Sequence, residues 1–274
     1  MADEILPAWS EPFTADHRTD LLRTAGLGVS GVDRDWAFGG SDGSGVTVAI
    51  IDSGVERDHP AVGGRLVRSV RVDIGGEDPV VLDDPDGLDV VGHGTACAGI
   101  IHGLAPAAAI VSVRVLGPDN RGKGAAFAAG LEWAIGQGVD VVNLSLSSKS
   151  DALYAAFHEL ADAAYFANVL LVSAANNVPG PSYPSLFAAV VSVAAHDVAD
   201  PWTWFYNPAP PVEFGAYGLD VDVAWRDGGR ILATGNSFAA PHVAGLATLI
   251  RAKHPGLAPF EVKAVLAATA TPIG

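Results

Sequence analysis

The stretch Val46-Thr47-Val48-Ala49-Ile50-Ile51-Asp52-Ser53-Gly54 decides the fold that this chain is predicted to adopt. Its almost continuous apolar run is typical of a parallel strand buried on both faces. Comparable runs recur at 110–116, 139–146, 169–175, 190–195 and 221–225. Helical patterns lie at 94–102, 124–137, 151–167 and 237–253, and a further helix starts near Pro259. This alternation predicts a three-layer α/β fold, a doubly wound and mostly parallel sheet with helices on both faces.

Composition and charge narrow the class of protein. The chain has 274 residues, 49% of them hydrophobic, which is enough for one large buried core. The formal net charge is −15, so we expect no nucleic-acid partner, because phosphate binding needs clustered Lys and Arg. We divide the chain into an N-terminal extension, residues 1–30, and one domain, residues 31–274.

Targeting signals and cysteine usage bear on where the protein works. The N-terminus has neither the basic nor the apolar segment of a signal peptide. The longer apolar runs fall well short of the roughly 20 residues that span a bilayer, so we expect no membrane contact. Cys97 is the single cysteine, so no intrachain disulfide can form. These features favour the cytoplasm.

Three polar residues stand where catalytic groups are expected. Asp52 ends the first strand, His93 opens a Gly-His-Gly-Thr run, and Ser237 precedes a long apolar helix in Gly-Asn-Ser-Phe-Ala-Ala-Pro-His. A serine hydroxyl becomes a nucleophile when a base takes its proton; His93 would be that base, oriented by Asp52. Asn177, which follows the run 169–175, would donate to the oxyanion.

Each of these residues also has a purely structural interpretation. Asp52 could form a turn, His93 could start a helix, Ser237 could be an N-cap and Asn177 could be a loop residue. The joint occurrence, with Asp, His and Ser in that order along the chain, favours catalysis over the separate explanations.

At these residues the chain resembles the subtilisin-like serine proteases, the subtilases, from about Val32 to Thr271. Val142-Asn143-Leu144-Ser145-Leu146 is similar to the family's substrate-binding strand. The resemblance implies a seven-stranded parallel sheet and peptide-bond hydrolysis through an acyl-enzyme. It also implies a peptide or protein substrate that binds as an extended strand. The substrate-binding residues expected from it are Ser145, Leu146 and Ser147 on one wall and Ala174, Ala175 and Asn176 on the other.

Departures from the family pattern concern the surroundings of the triad. Asn236 replaces the usual Thr before the nucleophile and is expected to keep a polar group beside the oxyanion hole. Three glycines of the family pattern are replaced by larger residues, Ser147, Ser148 and Asn176. We therefore expect the S1 pocket, which binds the P1 side chain of the substrate, to be narrower than in the family. Cys97 is interpreted as a small core residue, with a redox or catalytic role as the alternative.

Cofactor expectations also follow from the resemblance. Ala61 follows His59-Pro60 where the family has an Asp ligand for its strong calcium site, and no ligand loop interrupts the helix after His93. We therefore expect that site to be lost, no cofactor for the chemistry and no catalytic metal, while a weak structural calcium site stays possible.

The acidic residues before His93 have three interpretations. They are a solvated face, a negative rim that selects Lys or Arg in the substrate, or a metal site. The run comprises Glu77, Asp78, Asp83, Asp84, Asp86 and Asp89.

The two ends leave the type of subtilase open. Residues 5–9 resemble the short inhibitory segments of intracellular subtilases, with ordinary packing or disorder as the alternative. The C-terminus stops before the family's usual closing segment, so a neighbouring domain or partner could complete the fold. We interpret the chain as an intracellular-type or peptide-processing serine endopeptidase. The alternatives are a precursor-processing enzyme or transamidating macrocyclase, and a non-catalytic peptide-binding module.

Overall fold

A central sheet of nine strands carries the active-site edge of the protein. The computed structural model describes residues 7–8, 10–15, 17, 31–209 and 211–272. The strand order is β3-β2-β4-β1-β5-β6-β7-β9-β8. The seven strands from β2 to β9 in that order are parallel, and antiparallel β3 and β8 extend the two edges. The seven parallel strands confirm the predicted doubly wound sheet.

The strand bounds are β1 Thr47–Asp52, β2 Leu66–Asp73, β3 Val80–Asp83, β4 Ala109–Arg114, β5 Val141–Leu144, β6 Leu170–Ala174, β7 Val191–His196, β8 Trp204–Tyr206, β9 Phe214–Tyr217, β10 Val221–Trp225 and β11 Gly229–Ala233. The helix bounds are α1 Arg34–Phe38, α2 His93–Leu104, α3 Gly124–Gly136, α4 Tyr154–Phe166, α5 Asn236–Lys253 and α6 Pro259–Ala268. Short 3₁₀ helices cover Glu11–Phe13, Pro60–Val62 and Asp151–Leu153.

Strand β1, near the middle of the sheet, alternates its side chains between two separate cores. In β1, Val48 and Ile50 face a core shared with α2, α5 and α6. Ala49 and Ile51 face a second core shared with α3 and α4. Because both faces are covered, β1 is apolar and buried from Val48 to Ile51. The three-layer architecture is thereby confirmed.

One predicted strand of the central sheet lies elsewhere. The run Val221–Trp225 forms β10, which pairs antiparallel with β11 in a separate two-stranded sheet. The hairpin turn places Asp227 and Gly228 at positive φ, a conformation that an Asp-Gly pair adopts readily. The membership expected for this run in the parallel sheet is therefore wrong.

Among the described residues, no helix is long and apolar enough to cross a bilayer.

Candidate active site

The ends of three adjacent strands bring the candidate residues together. β5 lies beside β1, and β6 lies beside β5, all parallel. Asp52 is the last residue of β1, Ser145 directly follows β5, and Asn177 lies three residues beyond β6. Since the carboxyl ends of parallel strands share one edge of the sheet, these residues meet there.

Asp52 and His93 form a buried pair. The Nδ1 atom of His93 lies 2.8 Å from Oδ1 and 2.9 Å from Oδ2 of Asp52. Asp52 is fully buried, and the backbone N–H of Ser53 donates to its Oδ1 at 2.7 Å. The glycine at position 94 lets the start of α2 pack closely against the residues around Asp52, since a Cβ there would stand 2.0 Å from the carbonyl oxygen of Gly54. The carboxylate is thus placed to fix the orientation of the imidazole.

The electrostatic setting favours a protonated imidazole at His93. Burial by itself lowers the pKa of His93, but the charge of Asp52 and the hydrogen bond to it act in the opposite direction. The charge of Asp89 adds to them, and the net result is a pKa raised above the ordinary 6.5. The neutral imidazole, which can accept a proton, therefore predominates only when the pH is above this raised pKa.

Asp89 holds the turn that leads into α2. Its Oδ1 accepts hydrogen bonds from Ser53 Oγ and from the backbone N–H groups of Val91 and Gly92, at 2.7–3.0 Å. Its Oδ2 accepts from the N–H and hydroxyl of Thr95 at 2.8 and 2.7 Å. Five hydrogen bonds on one carboxylate fix the backbone on both sides of His93. Part of the acidic run is therefore internal structure and not a solvated face.

Ser237 lies in the first turn of α5 and faces Asn177 across Gly235. A Cβ on Gly235 would stand 3.3 Å from Ser237 Oγ and 3.4 Å from Asn177 Nδ2. The backbone N–H of Asn236 donates to Asn177 Oδ1 at 2.9 Å, which leaves the Nδ2 side of the amide toward the serine. The hydroxyl of Ser145 donates to the backbone oxygen of Ser237 at 2.7 Å.

His93 and Ser237 open on one cleft of about 850 Å³. Asn177 and the six expected substrate-binding residues line the same cleft: Ser145, Leu146, Ser147, Ala174, Ala175 and Asn176. The amide Nδ2 of Asn176 donates to Ser147 Oγ at 3.4 Å, a hydrogen bond that joins the two walls. Substrate binding by these residues remains a prediction. Arg121 and Lys123, which the sequence did not single out, also line the cleft.

Cys97 lies beneath the pair. Its Sγ is 3.3 Å from Ser145 Oγ and 3.9 Å from Asp52 Oδ2. Burial, with the charge of Asp52 added, raises the pKa of the thiol well above its usual range, so the reactive thiolate is suppressed. In the described part of the chain, Asp52, His93 and Cys97 form the only group of three acidic, His or Cys side chains with ligand atoms close together, within 4.8 Å.

A family model described as "Subtilase family" matches residues 43–274. The chain belongs to the subtilase family. "Thermostable alkaline protease" of Halalkalibacterium halodurans is 32% identical over 93% of this chain and 70% of its own length. "Subtilisin BL" of Lederbergia lenta is 34% identical over 86% of this chain and 87% of its own.

Two solved structures agree with the fold. "Crystal structure of a cold adapted subtilisin-like serine proteinase" matches with a TM-score of 0.67 at 30% identity, over 84% of this chain and 83% of that one. "S41 Psychrophilic Protease" matches with a TM-score of 0.72 at 29% identity, over 83% of each chain. This chain is accordingly a subtilisin-family serine protease, as the resemblance implied.

Asn236 lies beside the loop that carries Asn177, and its amide Nδ2 donates to the backbone oxygen of Asn176 at 3.4 Å. Its side chain is fully buried and does not line the cleft. Its amide Nδ2 donates to the backbone oxygen of Ala8 at 2.7 Å and to that of Ala175 at 3.1 Å. Only the neighbouring backbone N–H of Asn236 contacts Asn177. No local pattern links positions 8 and 236, so the sequence carried no signal for this contact.

Proposed function

We propose that this subtilase is a serine endopeptidase in which Ser237 is the nucleophile, His93 the general base and Asp52 the residue that orients His93. The observation that carries the proposal is the buried Asp52–His93 pair, which opens on the same cleft as Ser237. Because the carboxylate of Asp52 accepts a hydrogen bond from Nδ1–H of His93, it fixes the tautomer in which Nε2 is free to accept a proton.

The reaction then runs in two transfers. Ser237 Oγ bonds to the peptide carbonyl carbon as its proton passes to His93 Nε2, and the carbonyl π electrons move onto the oxygen. The oxyanion collapses, the C–N bond breaks, and His93 gives the proton to the leaving amine. A water oxygen then bonds to the acyl carbon as its proton passes to His93; the bond from that carbon to Ser237 Oγ breaks, His93 returns the proton to Oγ, and the carboxylic acid product is released.

Asn177 is the proposed oxyanion donor, together with the backbone N–H of Ser237 at the start of α5. The support is the common position of Asn177 Nδ2 and Ser237 Oγ around Gly235, within 3.4 Å of its missing Cβ. Such donors stabilise charge that appears only in the transition state, and the loss of one typically costs about 10²–10³ in rate.

The substrate we propose is an extended peptide or protein segment lying between the two cleft walls. Backbone groups beyond β5 would pair with it, as in other strand-addition complexes. The cleft is lined by two exposed cations, Arg121 and Lys123. Complementary charge favours acidic side chains in the part of the substrate that reaches them. This is the opposite of the Lys or Arg preference that the acidic run suggested.

A digest of a proteome-derived peptide library tests the proposed function. Wild type is expected to cleave internal bonds and to release linear products with new N- and C-termini, detected by mass spectrometry. Ser237→Ala, purified in parallel, is expected to release none. Cyclic products would indicate transamidation, and an unchanged library with folded wild type would contradict the proposal.

A further inference from the structure

A segment outside the family-matched region packs behind the active-site edge. Residues 7–8 and 10–13, here called the N-terminal segment, include the 3₁₀ helix Glu11–Phe13. Phe13 is fully buried in a cluster with Ala175, Ala194, Phe205 and Val212. A Cβ on Gly215 would stand 2.4 Å from the ring of Phe13, so β9 carries glycine where the ring lies. The segment is thus part of the folded domain and not a loose extension.

Two residues of the segment form hydrogen bonds with Asn236, the residue before the nucleophile. Ser10 is fully buried, and its hydroxyl donates to Asn236 Oδ1 at 3.1 Å. The backbone oxygen of Ala8 accepts from Asn236 Nδ2 at 2.7 Å. The N–H of Ala195 in β7 supplies a second donor to Asn236 Oδ1, at 2.9 Å. The N-terminal segment thus supplies one hydrogen bond to each end of the buried amide, in addition to those with Ala195 and Ala175.

The same segment contacts the oxyanion residue directly. The backbone N–H of Ala8 donates to the backbone oxygen of Asn177 at 2.8 Å. Asn236 in turn donates its backbone N–H to the side-chain oxygen of Asn177 at 2.9 Å. Asn177 is exposed and lies at the cleft, so these two hydrogen bonds from behind hold its backbone and its amide.

We propose that the N-terminal segment is a positioning element for the oxyanion hole. Ser10 and Ala8 fix Asn236, and Asn236 and Ala8 fix Asn177 with its Nδ2 toward the reacting carbonyl. The proposal rests on the oxyanion role proposed above for Asn177. Oxyanion stabilisation needs donors that are oriented before the charge develops, so loosening this network lowers the rate of the chemical step.

This role differs from inhibition by a segment in the cleft. Among the residues that the structure describes, the cleft is lined by positions from His93 to Ser237. Pro7 and Ala8 are buried behind the loop that carries Asn177. Ile5, Leu6 and Trp9, the other positions of the predicted inhibitory motif, lie outside the described residues.

The test uses Ser10→Ala in the full-length chain, which removes one hydroxyl and little volume. Its matched control is Ser41→Ala, since Ser41 also donates one tertiary hydrogen bond, to Leu249 at 2.9 Å, but lies at the far end of α5. A fluorophosphonate titration gives the concentration of active sites, so that unfolded molecules do not enter kcat.

We expect Ser10→Ala to lower kcat about 5- to 10-fold with KM changed by less than about 2-fold. The reason is that the lost hydrogen bond helps to orient Asn177, which stabilises charge only in the transition state. Ser41→Ala should match wild type in both parameters. In an Asn177→Ala background, adding Ser10→Ala should change kcat by less than about 2-fold, because the residue it acts through is gone.

Two results would overturn the proposal while leaving the protease assignment intact. One is an unchanged kcat for Ser10→Ala. The other is an equal loss of kcat with and without the Asn177 side chain, which would show that Ser10 acts by another route. If Asn177→Ala itself keeps the kcat of wild type, the oxyanion role falls first, and the positioning role falls with it.

Discussion

Replacing Asp89 by Asn separates the structural and electrostatic roles of this carboxylate. Both carboxylate oxygens are in use, with two hydrogen bonds from Thr95 on Oδ2 alone. In Asp89→Asn an NH₂ group faces those donors. The hydroxyl can turn to accept, but the N–H of the fully buried Thr95 loses its partner. An unsatisfied buried donor costs about 1–3 kcal/mol, and the three remaining bonds lose their charge assistance. We expect the free energy of unfolding to fall by about 2–4 kcal/mol.

The same substitution should shift the pH dependence of activity. The charge of Asp89 helps to raise the pKa of His93. Without it the imidazolium is less favoured, so the pKa of His93 falls and the neutral base is available at lower pH. Because the pKa of His93 is raised above the ordinary 6.5, we expect the acid limb of kcat/KM in wild type to follow it, and this limb should move to lower pH in Asp89→Asn.

Guanidinium denaturation measures the first effect, in a Ser237→Ala background that prevents self-digestion. A pH profile of kcat/KM measures the second, with the nucleophile present. Asp222→Asn is the control, since Asp222 forms an exposed ion pair with Arg230, and such pairs contribute about 0–1 kcal/mol. Loss of less than about 0.5 kcal/mol in Asp89→Asn, or an acid limb that does not move, would refute the reasoning.

Four further outcomes follow from the structure. Phe13→Ala should lower the free energy of unfolding by about 3–5 kcal/mol, because it empties a fully buried site; a small change in denaturant midpoint would contradict this. Replacing Arg121 and Lys123 by Glu should reduce cleavage of library peptides with acidic residues and favour basic ones, whereas an unchanged sequence preference would disprove charge selection. Ser147→Gly combined with Asn176→Gly removes the hydrogen bond between the cleft walls, so larger P1 residues should appear in the digest; the same P1 profile as wild type would argue against a narrowed pocket. Treatment with a calcium chelator should leave both activity and melting temperature unchanged, and a lower melting temperature restored by calcium would show that a structural site exists.

The buried elements were predictable because their sequences carry strong periodic signals. Val48 and Ile50 face one core, and Ala49 and Ile51 face the other, so continuous apolarity identified β1. The β2 strand was missed, since Arg68 and other polar residues interrupt its pattern where it approaches the sheet edge. The Asp-Gly pair between β10 and β11 is a hairpin signal, which apolar runs alone do not contain.

The candidate site divides in the same way. Asp52, His93 and Ser237 stand in motifs, so their types and order indicated the chemistry before any geometry. The contacts of Asn236 with Ala8 and Ser10 span more than 220 residues of sequence. Asp89 lay within a run that looked like solvated surface, and its five hydrogen bonds depend on a backbone turn that composition does not encode. Contacts of this kind follow from tertiary packing and not from local pattern.

Labelling by a fluorophosphonate probe tests the central claim most directly, because the probe reacts only with a serine that has an active general base. Folded wild type is expected to carry one adduct, mapped to Ser237 by peptide mass spectrometry. Ser237→Ala should carry none, and Asp52→Asn should react far more slowly. Equal labelling of wild type and Ser237→Ala, or no labelling of folded wild type above the pKa of His93, would contradict the account.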